Sequence, residues 1–307
     1  MEISHLRPDG DCIGAQVAFC RMLHHMGIEA VAINPDPVPR ILASFLGGTP
    51  ILLPEQFTDD DCVAVFIDCA EAVRAGRLLL ERFPKVFINI DHHISNDNYG
   101  EHNFVHTESS ATSEILAGLL LDNDMPLDSV MAQALYIGIA TDTGQFRFPS
   151  TTKQVFEIVR RLVEHGADPA KAAIELYERT SIAKLHLLRH FLASLKLECG
   201  GRVCIGLLPR GIYEKTGASN EDSEGLVDYA RAIEGVEIGI LLEERDGAVK
   251  GSFRAKDAVH RVDLLARQFN GGGHACASGF NLTEPIDTFY PRLINSLDNH
   301  FKTISES

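Results

Sequence analysis

Two short, mostly apolar runs that each end at an acidic residue form the clearest pattern along the chain. Residues 63–67 read Val-Ala-Val-Phe-Ile and stop at Asp68, and residues 86–90 read Val-Phe-Ile-Asn-Ile and stop at Asp91. Such runs, separated by a helical pattern, are typical of buried parallel strands. Ligands of open α/β sheets bind outside the carboxyl ends of the strands. The pattern therefore predicts a functional site at the edge where both acidic residues fall.

Helical periodicity accounts for much of the remaining chain. In the first part, apolar spacing predicts helices from residue 13 to 23 and over residues 113–121, 129–141, 152–165 and 169–179. In the second part, strands are predicted over residues 203–208, 236–244 and 249–255, and a helix over residues 260–269. We therefore predict an α/β fold with an active-site cleft between two domains. A Rossmann-like N-terminal domain with a parallel sheet spans residues 1–181, a linker helix spans 182–198, and a smaller C-terminal α/β domain with a mixed sheet spans 199–307.

Composition narrows the class of protein. The 307 residues are enough for two domains, and 45% hydrophobic content allows ordinary cores. The formal net charge of −15 repels long polyanions and disfavours broad binding to duplex DNA. Seven cysteines without a Cys-x-x-Cys pair indicate a reducing compartment. No apolar run reaches the roughly 20 residues of a membrane span, and no signal segment opens the chain, so we expect a cytoplasmic protein without a membrane partner.

Acidic and histidine residues recur in four separate stretches. The first, His5-Leu6-Arg7-Pro8-Asp9-Gly10-Asp11, would alone be more typical of a plain surface turn. It is followed by Asp68, by Asp91-His92-His93 and by Asp142, each at the end of an apolar or helical run. Carboxylates that converge raise each other's pKa, and two divalent cations bridged by a carboxylate relieve the repulsion. Such a pair lowers the pKa of a shared water and holds a hydroxide in line with phosphorus, which points to hydrolysis of a phosphate ester or anhydride.

Five motifs in order resemble those of the DHH phosphoesterase superfamily, with a DHH-associated domain at the C-terminal end. The motifs are His5…Asp9-Gly10-Asp11, Phe66-Ile67-Asp68, Asp91-His92-His93, Thr141-Asp142-Thr143-Gly144 and Gly271-Gly272-Gly273-His274-Ala275-Cys276-Ala277-Ser278-Gly279. The resemblance covers nearly the whole chain. Members usually have a helix and a full first strand ahead of the first motif, whereas this chain begins a few residues before it. A trimmed start and an abbreviated sheet edge are both open alternatives.

The resemblance implies roles for these residues. One metal would be bound by His5, Asp9 and Asp68, and the other by Asp11, Asp68, His92 and Asp142, with Asp68 as the bridge. His93 would contact the substrate phosphate, and Asp91 would orient the histidine pair. Two Mn²⁺ ions are expected, and Mg²⁺ is the alternative, because oxygen and imidazole ligands without thiolate suit both.

Residues of the C-terminal part are candidates for substrate binding. Gly271, Gly272 and Gly273 offer bare backbone N–H groups beside His274, and Arg254 on the preceding strand, near Ser252, can fork onto a phosphate. A plain glycine turn between helix and strand is the alternative. Arg147, in Gln145-Phe146-Arg147-Phe148, is a further candidate for lining the cleft.

The two-domain layout most resembles the oligoribonucleases of the superfamily that also dephosphorylate adenosine 3′,5′-bisphosphate (pAp). The expected substrates are therefore short single-stranded RNA and small phosphorylated nucleotides, and a homodimer is left open. Two alternatives remain. A polyphosphate or pyrophosphate hydrolase would release phosphate from substrates without a base or sugar, and a non-catalytic nucleotide-binding module would have lost a metal ligand.

Overall fold

The computed structural model describes residues 1–59 and 61–306, without the side chains of His274, Ser305 and Glu306. The chain divides into two compact units, Met1–Arg179 and Thr180–Ser307. Each unit contains one six-stranded sheet. Among the described residues, no helix has the length and apolar character needed to cross a membrane.

The sheet of the first unit is entirely parallel. Its strands are β1 (Glu2–Ile3), β2 (Ala32–Ile33), β3 (Ile51–Leu52), β4 (Ala64–Ile67), β5 (Val86–Asp91) and β6 (His102–Val105). They lie in the order β3-β2-β1-β4-β5-β6, and every pairing is parallel. The order brings the carboxyl ends of β1, β4 and β5 next to one another. The strands predicted over residues 63–67 and 86–90 are thus confirmed as β4 and β5.

Helices pack against the sheet of the first unit, which explains why strand β4 is apolar throughout. They are α1 (Gly10–His25), α2 (Arg77–Arg82), α3 (Thr112–Asp122), α4 (Ser129–Asp142), α5 (Lys153–Glu164) and α6 (Pro169–Tyr177), and a short 3₁₀ helix spans Ala72–Ala75. Val65 and Ile67 of β4 pack into the core formed with α1, α3, α4 and α5. Phe66, which points the opposite way, packs into a second core with Ile3 and Ile33. Because both faces are buried, every residue of β4 is apolar.

The second unit has a mixed sheet. Its strands are β7 (Lys196–Glu198), β8 (Val203–Leu208), β9 (Ile238–Arg245), β10 (Ala248–Ala255), β11 (Gly272–His274) and β12 (Ala277–Leu282). They lie in the order β11-β12-β10-β9-β8-β7, and the β8–β9 pair is parallel while the other pairs are antiparallel. The helices are α7 (Ile182–Ala193), α8 (Ile212–Thr216), α9 (Leu226–Arg231), α10 (Val262–Arg267) and α11 (Ile286–Glu306). The predicted α/β fold, with a parallel sheet first and a mixed sheet second, is confirmed.

The helix predicted over residues 182–198 is shorter than expected. α7 ends at Ala193, and the hydroxyl of the following residue, Ser194, accepts a hydrogen bond from the backbone N–H of Leu207 at 2.8 Å. Residues 195–198 read Leu-Lys-Leu-Glu, and this alternation suits β7, which pairs with β8. Leu187 and Phe191 of α7 are fully buried in a core of the second unit. The predicted extension of the helix to residue 198 is therefore wrong, and the helix packs as part of the second unit.

Candidate metal centre

The first predicted ligand stretch forms the turn between β1 and α1. Asp9 caps α1, since its Oδ1 accepts a hydrogen bond from the backbone N–H of Cys12 at 3.1 Å. Nδ1 of His5 lies 2.8 Å from the carbonyl oxygen of Leu6, and because a carbonyl only accepts, Nδ1 carries the proton of this bond. Nε2 of His5 then faces the carboxylates, 3.4 Å from Oδ2 of Asp68 and 3.8 Å from Oδ2 of Asp9. His5 is 3% exposed, so this stretch is not a plain surface turn.

Asp68 lies at the centre of the site, directly after β4. Its φ of 55° is in the left-handed region, which is strained for a residue with a side chain and is often found at functional sites. Oδ2 of Asp68 faces His5, whereas Oδ1 lies 3.7 Å from Nε2 of His92 and accepts a hydrogen bond from the Thr112 hydroxyl at 3.1 Å. The two oxygens of one buried carboxylate therefore face two different sets of potential ligands.

Asp11 is held by the first turn of α3. Its Oδ2 accepts a hydrogen bond from the backbone N–H of Thr112 at 2.6 Å, and its Oδ1 accepts one from the N–H of Ser113 at 2.8 Å. These N–H groups have no partner within the helix, and the positive end of the helix dipole favours a carboxylate there. Asp11 is completely buried, so both its position and its charge depend on α3.

The histidine pair follows β5, and its two rings are oriented by different groups. Nε2 of His92 lies 3.3 Å from Oδ2 of Asp142 and 3.9 Å from Oδ2 of Asp11. On the other side of the same ring, Nδ1 lies 3.3 Å from the carbonyl oxygen of Ser109. Nδ1 of His93 instead lies 2.7 Å from Oδ1 of the fully buried Asp91. Asp91 was expected to orient both histidines, but its carboxylate holds His93, while the Ser109 carbonyl holds His92.

The predicted metal ligands converge at the carboxyl edge of the sheet. Three groups have potential ligand atoms within 4.8 Å of one another, namely His5 with Asp9 and Asp68, Asp11 with His92 and Asp142, and Asp68 with His92 and His93. Asp142 is the last residue of α4 and Asp11 lies in the first turn of α1, so two helix ends complete a site that is otherwise formed by residues following strands. All six residues predicted as ligands belong to at least one of these groups.

The ionisable groups of the site perturb one another. Burial, followed by the negative charge of Asp68, raises the pKa of Asp11 well above its usual range. Burial and then the charge of Asp11 do the same to the pKa of Asp142. Burial alone would also raise the pKa of Asp68, but the hydrogen bond with His5 and the three neighbouring histidines lower it. Burial would lower the pKa of His5, yet Asp68 and Asp9 raise it to about 9. Asp11, Asp142 and His5 therefore hold protons where cations would otherwise balance the negative charge, whereas Asp68 stays ionised.

The donor set suits a hard or borderline divalent cation. Carboxylate and imidazole groups are the ligands available, and Mn²⁺ and Mg²⁺ both accept them. The thiol of Cys12, next to Asp11 in sequence, is fully buried, and burial together with the nearby carboxylates raises its pKa well above the usual range. It therefore stays protonated and offers no thiolate. The residues present fit the expected metal ions.

Sequence reasoning did not identify several groups that shape this site. At the start of α3, the backbone N–H groups of Thr112 and Ser113 donate hydrogen bonds to Asp11, and the hydroxyl of Thr112 donates one to Asp68. Nothing in their sequence context distinguishes these two residues from ordinary residues at a helix N-terminus. Arg74 is a further case, because its carbonyl oxygen accepts a hydrogen bond from Leu6 N–H at 2.8 Å and its positive charge lowers the pKa of His5. Arg147, a predicted candidate for substrate binding, is exposed, and its Nε donates to the carbonyl oxygen of Gly144 at 2.7 Å.

Predicted substrate-binding residues of the second unit share one face of its sheet. Along β10, Lys250, Ser252 and Arg254 are partly exposed, whereas the alternate residues are buried. Arg254 lies opposite Ala277 on one side and Gly239 on the other, so small residues flank it. Its Nη1 donates to the carbonyl oxygen of Phe253 at 3.0 Å, and burial lowers its pKa. The negative charges of Asp228 and Glu224 act on Arg254 and oppose this lowering, but Asp228 forms its ion pair with Arg231. Among the described residues no carboxylate forms an ion pair with Arg254, so its guanidinium can bind an anion.

The glycine-rich stretch reaches β11 and pairs with β12. A Cβ on Gly271 would lie 2.2 Å from the carbonyl oxygen of Gly279, and Gly273 has a φ of 142°, so packing and backbone geometry require glycine at both positions. A Cβ on Gly272, however, would meet no described atom within 4 Å. The alternative of a plain glycine turn therefore explains only two of the three glycines. The backbone of His274 ends β11, and its side chain lies outside the described residues.

The chain is similar in sequence and in fold to known proteins. The family models for the DHH family, N-terminal domain, and for the DHHA1 domain match residues 3–139 and 200–303. The chain is 30% identical to the bifunctional oligoribonuclease and PAP phosphatase NrnA of Thermus thermophilus, over 96% of this chain and 87% of that protein. It is 27% identical to the protein of the same name from Bacillus subtilis, over 91% and 87%. The crystal structure of an exopolyphosphatase-related protein from Bacteroides fragilis is similar with a TM-score of 0.90, at 25% identity, and the match covers 99% of this chain and 93% of that one.

The matched segments contain the motifs from which the site is built. The first three ligand stretches lie within the first match, Asp142 follows it closely, and the glycine-rich stretch lies within the second. The relative from Thermus thermophilus extends the similarity over almost the whole chain. The chain therefore belongs to the DHH family of phosphoesterases and carries a DHHA1 domain.

Proposed function

We propose that this protein is a metal-dependent phosphoesterase that hydrolyses short oligoribonucleotides to mononucleotides and dephosphorylates pAp. The observation that carries the proposal is the position of Asp68, whose two carboxylate oxygens face two separate groups of histidine and aspartate side chains. The relatives from Thermus thermophilus and Bacillus subtilis, which are named for both activities, support this choice of substrates.

The ligand groups suggest two cation positions that share Asp68. His5 and Asp9 would complete the first position, and the second would be completed by Asp11, His92 and Asp142. Mn²⁺ is the proposed ion, with Mg²⁺ as the alternative. Bound divalent cations would lower the pKa of water, so that it can act as a nucleophile near neutral pH, and would offset the charge on the phosphoryl oxygens. The chain contributes by fixing the spacing of its carboxylates, and bound cations would displace the protons that Asp11 and Asp142 hold without them.

His93 is the proposed hydrogen-bond donor to a phosphoryl oxygen of the substrate. Burial would lower its pKa, but the hydrogen bond to Asp91 and the negative charge of Asp68 raise it above the usual value. In the protonated ring both nitrogens carry hydrogen, so that Nδ1–H donates to Asp91 and Nε2–H is a second donor group. A donor held in place before the reaction stabilises the charge that develops on the phosphoryl group.

The second unit would bind a second phosphate group of the substrate. Arg254 provides a guanidinium without an ion pair among the described residues, Ser252 on the same face provides a hydroxyl, and Gly272 leaves open space where a side chain would stand. pAp carries two phosphate groups, and a short RNA carries one per linkage, so one group can be held while another reacts. Arg147 and His274 remain further candidates. The net charge of −15 argues against long duplex nucleic acid as a substrate.

A hydrolase of inorganic polyphosphate or pyrophosphate is the second candidate. The similar structure from Bacteroides fragilis is described as exopolyphosphatase-related, which favours this alternative. A non-catalytic nucleotide-binding module is disfavoured, because each predicted metal ligand lies in a group suited to bind an ion.

A product assay with Mn²⁺ distinguishes the candidates. It would compare RNA of two to five nucleotides, pAp and inorganic polyphosphate as substrates for the wild type. The Asp68→Ala variant is expected to lose all activity, and Asp246→Ala, which removes a carboxylate that is 78% exposed in the second unit, is expected to retain it. Mononucleotides from RNA and phosphate from pAp would support the proposal. Phosphate from polyphosphate alone would support the second candidate, and inactivity on all three substrates would contradict both.

A further inference from the structure

Asn96 lies next to the histidine pair and holds the carboxylate of Asp91 from the side opposite His93. The backbone N–H of Asn96 donates to the carbonyl oxygen of His93 at 3.1 Å, so a tight turn brings the side chain back towards the motif. Nδ2 of Asn96 donates to Oδ2 of Asp91 at 2.6 Å, and Nδ1 of His93 lies 2.7 Å from Oδ1 of the same carboxylate. Asp91 is fully buried, so these two side chains clamp it between them.

The amide of Asn96 can adopt only one orientation. Its Oδ1 accepts hydrogen bonds from Nδ2 of Asn89 and from the backbone N–H of Asn98, both at 2.9 Å. The backbone N–H can only donate, so the atom that faces it must be the oxygen, and the NH₂ group must face Asp91. Asn89 is itself fully buried in β5, and its Nδ2 also donates to Oδ1 of Asn103 at 3.1 Å. The backbone N–H of Asn98 thus fixes Nδ2 of Asn96 as the donor to Asp91, and the buried Asn89 supports the same amide.

We propose that Asn96 is a positioning residue that sets the orientation of the His93 imidazole through Asp91. The inference rests on the proposed function, in which His93 contacts the substrate phosphate. Without the donor at position 96, the buried carboxylate would lose a hydrogen bond that fixes its rotation, and the ring bonded to it would lose its defined direction. His92 is held separately by the carbonyl oxygen of Ser109, so metal binding does not depend on Asn96.

Steady-state kinetics with Mn²⁺ and pAp, combined with a double-mutant cycle, test the inference. Asn96→Ala is expected to lower kcat about 10–100-fold, as is typical for the loss of a group that orients a functional histidine. KM and the Mn²⁺ dissociation constant are expected to stay within about threefold of wild type, because no metal ligand loses a partner. In the His93→Gln background, the same change is expected to lower kcat by less than about threefold, since a residue that acts through His93 has nothing left to orient.

A second variant separates positioning from support of the loop. Asn96→Ser keeps an oxygen that can accept the Asn98 N–H, but its hydroxyl is too short to reach Asp91. It is expected to be as slow as Asn96→Ala. Asn103→Ala removes the side-chain oxygen that accepts a hydrogen bond from Asn89, but it leaves the contacts of Asn96 in place. This variant is expected to keep the wild-type kcat even if the melting temperature falls.

The outcomes distinguish this inference from the proposed function. Recovery of kcat in Asn96→Ser, a normal kcat in Asn96→Ala, or an undiminished effect in the His93→Gln background would overturn the positioning role alone, provided that the wild type is active. An inactive wild type would overturn the proposed function, and the inference with it.

Discussion

Substitution of Gly138 by alanine tests how closely α4 must approach the start of α3 for the site to form. An ideal Cβ on Gly138 would lie 2.0 Å from Oγ of Ser113, 2.6 Å from its Cβ and 2.8 Å from Oδ1 of Asp11. The hydroxyl of Ser113 can rotate away, but its Cβ is fixed to the backbone of α3. Because carbon atoms pack at about 3.5–4.0 Å, α3 would have to move by roughly 1 Å.

The expected change in the free energy of unfolding follows from two opposing contributions. Alanine in a helix interior is favoured over glycine by about 1 kcal/mol. Overpacking of a tight contact costs about 1–3 kcal/mol. We therefore expect Gly138→Ala to lower the free energy of unfolding of the first unit by up to about 2 kcal/mol. The same displacement would pull the N–H groups of Thr112 and Ser113 away from Asp11, so we also expect Mn²⁺ to bind about tenfold more weakly.

Urea unfolding without metal and calorimetric titration with Mn²⁺ would measure both effects. Gly118→Ala in α3 is the matched control, because within 4 Å the Cβ of this variant would meet, among the described atoms, only Cδ1 of Ile158 at 4.0 Å. It is expected to stabilise the protein by up to about 1 kcal/mol and to leave Mn²⁺ affinity unchanged. If Gly138→Ala were stabilised as much as Gly118→Ala and bound Mn²⁺ like the wild type, the close contact described here would not exist.

Three further predictions concern the chemistry of the two units. Since the pKa of His5 is raised to about 9 and a metal ligand must be neutral, Mn²⁺ binding near neutral pH should release at least one proton, and affinity should rise as the pH approaches that pKa. Calorimetry in buffers of different ionisation enthalpy would reveal this, and binding without proton release would contradict it. Thr112→Val, which removes only the hydroxyl bonded to Asp68, should weaken Mn²⁺ binding about tenfold, and an unchanged titration would show that this hydrogen bond is unimportant. Arg254→Ala should raise KM for pAp about 10–100-fold and leave kcat and Mn²⁺ affinity unchanged. Arg292→Ala, at a side chain that is 55% exposed, is the control and should match the wild type. Equal KM values for the two variants would refute a phosphate contact at Arg254.

The residues of the candidate metal centre could be predicted from the sequence because their signals are local. Each ligand stretch follows an apolar run or a helix, and the residues at such ends are few, so His5, Asp68 and His92 stand out without any knowledge of distant contacts. The parallel sheet then follows from β4, whose apolar run requires cover on both faces.

The groups that orient the ligands could not be predicted, because they come from distant parts of the chain. Asp11 depends on N–H groups 101 and 102 residues away, and His92 depends on the Ser109 carbonyl 17 residues away. Backbone donors and acceptors carry no sequence signature, since every residue other than proline has them. The helix predicted to end at residue 198 was wrong for a related reason: the pairing of β7 with β8 decides where α7 stops.

The sequence by itself therefore determined the fold class of both units, the residues able to bind metal and the chemistry that such residues support. Only the tertiary structure decided that the two oxygens of Asp68 face different ligand sets, that α3 holds Asp11, and that Asp91 serves His93 and not His92. The physical reason is that residue type and spacing fix what a group can do, whereas the packing of distant helices and strands fixes the direction in which it points.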